Sequence, residues 1–208
     1  METTAKHSKK WMILEISLMI GLAVFLFWGA LSLQAQQELA GKVVRLHVLA
    51  NSDSEEDQAL KLLVRDRVLA QAQAFLEQSE GRDQAEELLR RQLPALEKAA
   101  ALEIAAQGYD YPVTAELTET RFPTREYDGF SLPAGRYLAL RIVIGQGSGQ
   151  NWWCVVFPPL CTAASAGLPA SAGGLSEEDV RLIQESDAGY VLKFKSIEWW
   201  EGVKERFS

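Results

Sequence analysis

The chain has 208 residues, 48% of them apolar, with 21 Lys+Arg against 28 Asp+Glu and a formal charge of −7. With only 15 Gly, 7 Pro and 2 Cys it is neither collagen, a disulfide-dense mini-protein, a coiled-coil rod nor a disordered acidic tail. The first 35 residues carry Lys6, Lys9 and Lys10 against Glu2 and Glu15, so the acidity belongs to the rest of the chain and argues against nucleic-acid binding.

Residues 1–10 are polar and basic, residues 11–33 are apolar, and the stretch Ile16 through Leu33 holds no charge at all. Small residues at Ala30-Leu31-Ser32 or Leu33-Gln34-Ala35 stand where a signal peptidase cuts, the layout of a secretory leader. The run is also long enough to cross a hydrocarbon core of ~30 Å and stay as an anchor. Lysines before it and Glu38, Asp53, Glu55, Glu56 and Asp57 after it place the body outside the cytoplasm. Residues 1–35 are therefore read as a signal peptide or membrane anchor, and residues 36–208 as one exported domain.

Within that domain, residues 42–49 alternate as a strand, with Val44, Leu46 and Val48 on one face and Arg45 and His47 on the other. Ser52 with Glu55 reads as a capping box, followed by a helix over about 54–78. Leu60, Val64, Val68, Ala72 and Phe75 make one apolar stripe, with Leu62, Leu69 and Leu76 beside it. Lys61 and Arg65 fall between the stripes. Arg65 either runs its stem along the core or is a structural charge within it, held by a carboxylate or strand-end carbonyls.

A second box, Asp83 with Glu86, opens a helix over 84–107 that closes at Gly108, with a kink or restart expected at Pro94. Val113, Ala115 and Leu117 alternate with Thr114, Glu116 and Thr118 as a strand with one wet face. Residues 121–135 read as a loop, Arg136–Ile144 as a strand, and Asn151–Phe157 as its hairpin partner across a Gly-rich turn. Residues 162–175 read as a flexible insertion. A short helix from Ser176, a strand over Tyr190–Lys195 and an amphipathic helix through Ile197, Trp200, Val203 and Phe207 close the chain. The expected class is α+β: a single domain with a mainly antiparallel sheet packed by two long helices, preceded by the hydrophobic leader.

Chemistry-bearing patterns are thin. Gly145, Gly147 and Gly149 precede a strand and lack the helix N-terminus a phosphate loop needs, so they read as a turn. Asp53, Glu55 and Asp57 begin like a calcium loop but have no Gly at the sixth position and no Glu at the twelfth. After the leader, His47, Cys154 and Cys161 are too sparse for a closed zinc site, and nothing local makes either thiol a nucleophile. No cofactor or metal is expected. Two cysteines around Pro158-Pro159 in an exported chain can bridge as the chain doubles back; two inert buried thiols are the alternative. Glu116, Glu119, Glu126 and Asp128 lie near aromatic residues, and Trp152, Trp153, Trp199 and Trp200 suit sugar stacking. Hence an alternative reading as a cell-wall-binding or hydrolytic envelope protein.

The segments Arg45–Lys61 with Val64-Arg65-Asp66, then Phe122-Pro123-Thr124, Leu132–Arg141 and Gly145–Cys161 resemble the stage II sporulation protein R family of endospore-forming bacteria. The resemblance implies a signalling protein and not an enzyme. It would be made in the forespore, exported to the intermembrane space, and needed there to activate a membrane-embedded aspartic-type protease that processes a mother-cell pro-sigma factor. The residues expected to touch that protease are Asn51, Asp53 and Glu55 on one turn and Asn151, Trp152 and Trp153 at one strand end. Contact with the membrane itself is expected only through the leader.

Overall fold

The computed structural model describes the backbone of residues 2–127 and 130–161; among these, the side chains of residues 2–10, 13, 29–33, 35–36 and 130 lie outside the description. The chain divides into two units, Met1–Glu38 and Leu39–Ser208.

The first unit is the body of helix α1, Glu2–Ala40. The apolar side chains described between Trp11 and Trp28 are exposed, Leu18 by 71% and Phe25 by 73%. Among the described residues no helix is long and apolar enough to cross a membrane. The uncharged stretch includes residues 29–33, whose side chains lie outside them.

The second unit holds the four-stranded sheet. Its elements run β1 (Val44–Leu49), α2 (Glu55–Leu76), α3 (Arg82–Ala106), β2 (Val113–Phe122), β3 (Arg125–Tyr127), β4 (Phe130–Leu132), β5 (Gly135–Ile144) and β6 (Asn151–Phe157). The order across the sheet is β2-β5-β1-β6, and β3-β4 form a separate two-stranded sheet. Two of the three pairings in the large sheet are antiparallel, so the α+β class holds.

One expectation fails at the centre. Strand β6 is not the hairpin partner of β5: β1 lies between them, parallel to β5 and antiparallel to β6. Strand β1 takes a central place buried on both faces, and all six of its residues are buried, Arg45 and His47 included. The turn after β5 must therefore pass over the end of β1, where Gly145 and Gly147 supply φ of 57° and 61°.

Helices α2 and α3 cover one face. Val44, Leu46 and Val48 of β1 meet Leu60, Val64 and Val68 of α2, and Leu89, Leu96 and Ile104 of α3 complete that core. The opposite face carries a smaller cluster of Val43, Phe122, Leu132, Tyr137, Val155 and Leu160. Helix α3 runs through Pro94 as one element; Arg90 and Pro94 are not buried, so water can satisfy the carbonyl that proline leaves unpaired. It ends as expected at Gly108 (φ 83°), where Tyr109 N–H reaches the Ile104 carbonyl and Gly108 N–H the Ala105 carbonyl.

The caps differ from the pattern. Ser54, not Ser52, caps α2, its hydroxyl accepting from Asp57 N–H at 3.2 Å. Helix α3 starts at Arg82 with Gly81, which has no side chain, at the cap position; Asp83 therefore lies inside the first turn, and Glu86 pairs with Arg82 and Arg90. The loop expected over 121–135 contains β3 and β4, three residues each and too short to show a period. The insertion expected over 162–175 and the three elements expected after it lie outside the described residues, as does Asp128.

Candidate functional site: the junction of two loops

Strand β1 ends at Leu49, and the chain must turn before α2 starts at Glu55. The turn after β5 crosses the same place. Asn51 ties the two together: its Oδ1 accepts from Gln146 N–H at 3.0 Å, and its Nδ2 donates to Asp57 Oδ2 at 2.9 Å. The Asn51 carbonyl accepts from the Ser148 hydroxyl at 2.6 Å, and the Ala50 carbonyl from Gly149 N–H at 3.0 Å. Asp53 Oδ1 accepts from Gln150 N–H at 2.8 Å. A Cβ at Gly149 would collide with the Ser52 carbonyl, and one at Gly145 with the Asn51 side chain. Only glycine lets these two backbones meet.

Two buried charges brace the junction. Asp57 is 4% exposed and also accepts from the Ser52 hydroxyl at 2.5 Å and from Tyr111. Burial pushes its pKa up, but the hydrogen bonds from Ser52, Asn51 and Tyr111 outweigh this and hold it below the usual carboxylate range. Tyr111 is raised in turn by burial and by the Asp57 charge. Lys61, 5% exposed, donates to Gln58 Oε1 at 2.6 Å and to the Gln150 carbonyl at 3.0 Å; burial and Arg65 lower its pKa, while Asp53 opposes them.

Beside the junction, β6 presents two tryptophans on opposite faces. Trp152 is half-buried on the helix side, with the Arg65 guanidinium 4.2 Å from its ring. Arg65 also bonds Asp66 at 2.7 Å; it is half-buried, not a charge within the core. Trp153 stacks on His47 at 3.8 Å between ring centroids and meets Phe122 edge-on at 4.6 Å. His47 Nε2 is 2.7 Å from Asn151 Oδ1, an acceptor, so Nε2 carries the proton; Nδ1 is buried without a partner among the described residues. Burial lowers the His47 pKa, the Asn151 bond opposes this, and the cations Arg141 and Arg45 reinforce it.

Pattern reading missed Arg45. It is wholly buried, donates from Nη2 to the Tyr127 hydroxyl at 2.5 Å, and lies over Phe122 at 4.0 Å and near Tyr137 at 5.0 Å. Its Nε and Nη1 have no partner among the described residues. Burial lowers its pKa and the two tyrosines oppose that. Alternation was the available signal, since it sets Arg45 on the face that β3 covers.

The expected contact residues thus separate into two kinds. Asp53, Glu55 and Asn151 are exposed at one end of the sheet; Asn51, Trp152 and Trp153 are half-buried supports beneath them. The sulfurs of Cys154 and Cys161 lie 2.08 Å apart in a disulfide, with Cα atoms 5.5 Å apart. Glu116 pairs with Arg141 at 2.6 Å, while Glu119 and Glu126 are not buried. Among the described residues no group of three or more His, Cys, Asp or Glu side chains is placed to hold a metal.

Fold and junction together define an α+β domain whose two most distinctive sequence blocks, 45–61 and 145–161, close on each other at one corner of the sheet. The family model for stage II sporulation protein R matches residues 40–166, and the chain belongs to that family, which places it among sporulation proteins. It is 35% identical over 144 residues to stage II sporulation protein R of Bacillus subtilis (strain 168). The match covers 64% of this chain, and the chain spans 64% of the length of that curated relative. No solved structure matches.

Proposed function

We propose that this protein is a secreted sporulation signal, exported from the forespore, that activates a membrane-embedded aspartic-type protease from the intermembrane space and so triggers pro-sigma-factor processing. The observation that carries the reading is the junction, where two separate family blocks build one braced corner with Asp53, Glu55 and Asn151 exposed upon it. A ligand changes its receiver only by binding one state better than the other. To move a protease from about 1% to about 99% active, the difference must reach roughly 10⁴-fold. A braced corner suits that task, since little binding energy is lost in ordering it.

The test is charge reversal. Glu55→Lys, and Asp53→Lys with Glu55→Lys, are expected to lower sigma processing by roughly tenfold or more while export continues. Glu55 takes no part in the junction's hydrogen bonds, so its single variant keeps the test valid should the Asp53 change loosen the corner. Unchanged processing in the exported Glu55→Lys protein removes this surface from the account. The wall-binding reading predicts instead that the protein pellets with peptidoglycan. Arg65 covers one face of Trp152 and His47 one face of Trp153, which leaves less aromatic surface for sugar.

A further inference from the structure

A guanidinium removed from water is costly, and a hydrophobic side chain of like volume in its place is often as stable or more so. Arg45 is wholly buried with no carboxylate against it among the described residues. Phe122 lies 4.0 Å and Tyr137 5.0 Å from its central carbon, the two rings 5.7 Å apart and nearly perpendicular, and the groups left for a ligand are its N–H donors. Nη2 belongs to both of the two-donor edges that a guanidinium offers, Nε with Nη2 and Nη1 with Nη2. The Tyr127 hydroxyl occupies Nη2, while Nε and Nη1 stand unpartnered. A single neutral hydroxyl thus holds the atom that either bidentate contact requires.

Tyr127 can leave that position without breaking the main sheet. It sits on β3, which pairs with β4 and not with the four-stranded sheet, and its hydroxyl reaches the Trp153 carbonyl at 3.2 Å. We propose that Arg45 is a receptor for a carboxylate, which displaces the Tyr127 hydroxyl and takes Nη2 together with Nε or Nη1. A planar acid matches either two-donor edge; a bidentate contact of this kind is the strong form of a charge-assisted hydrogen bond. The acid is either a free small carboxylate or an acidic side chain of a docking protein. The proposal goes beyond the signalling reading, and its readout is binding, so each can fail without the other.

The experiment uses the full chain in detergent, with thermal unfolding followed by tryptophan fluorescence during titration with acetate against sodium chloride at equal ionic strength. A parallel titration uses a capped peptide bearing one glutamate. Wild type is expected to melt higher with acetate in a saturable manner and not with chloride. Arg45→Met is expected to lose the response. Tyr127→Phe, with no hydroxyl to displace, is expected to saturate at a roughly fivefold lower concentration. A response to acetate and peptide alike assigns the site to a protein side chain, and a response to acetate alone to a free acid; both support the receptor. No saturable response in wild type, an unaltered response in Arg45→Met, or weaker binding in Tyr127→Phe overturns it.

Discussion

His47 is the residue whose chemistry most directly couples the site to solution conditions. Neutral, it donates from Nε2 to Asn151 and offers its ring to Trp153; protonated, it would place a second N–H, on the buried Nδ1, where no acceptor stands among the described residues. Because burial depresses its pKa, the unfolded chain binds a proton more readily than the native one below about pH 6.5. Stability is therefore complete above that pH and falls as pH drops from there through the lower native value. The chain holds 2 His, His7 and His47, and the comparison with His47→Phe assigns the slope. Urea unfolding at pH 7.5 and in steps down to pH 5 is expected to show a falling midpoint in wild type and a nearly flat one in His47→Phe. An equal slope in both would mean the imidazole carries no such coupling. Asp57 acts at lower pH: its native pKa is depressed, so its contribution is present above about pH 4 and is lost in stronger acid.

At the scale of elements, the decisive contact is between the turn after β1 and the turn after β5. Gly149→Ala forces a methyl against the Ser52 carbonyl, and backbone cannot yield as a side chain end can. A loss of about 1–3 kcal/mol is expected by urea unfolding, together with loosened packing of Trp152 seen as a shift in its fluorescence. Native-like stability in Gly149→Ala would mean the two turns are not held together. Both turns were readable as turns, and helices α2 and α3 followed from their 3.6-residue stripes. Their meeting was not readable, because neighbours in sequence suggested a β5–β6 hairpin and only the insertion of β1 between those strands brings Gln146 and Gln150 onto Asn51 and Asp53. Asn51 and Asp53 were thus legible as turn residues, whereas the hydrogen bonds that tie them to Gln146 and Gln150 are long-range. Arg45 was hidden for a related reason: alternation assigned it to the face away from the helices, and the three-residue strands that cover that face leave no periodic signal.

At the scale of the whole molecule, Leu39 marks where the folded body begins. Helix α1 runs to Ala40, but its last two residues belong to the second unit, where Leu39 is wholly buried with Val43, Phe122 and Leu160. Either small-residue position at 30–35 would leave Leu39 attached to the body, so retention and removal of the leader both preserve that core. A chain beginning at Gln36 is therefore expected to unfold at the same urea concentration as the full chain. One beginning at Gly41 leaves the Leu39 site empty and is expected to lose about 2–5 kcal/mol, the usual cost of deleting a buried leucine side chain. The comparison separates a body that carries its own N-terminal anchor from one that depends on the leader. If the chain from Gln36 is as weak as the chain from Gly41, residues before 36 contribute to the fold and the leader is more than an address.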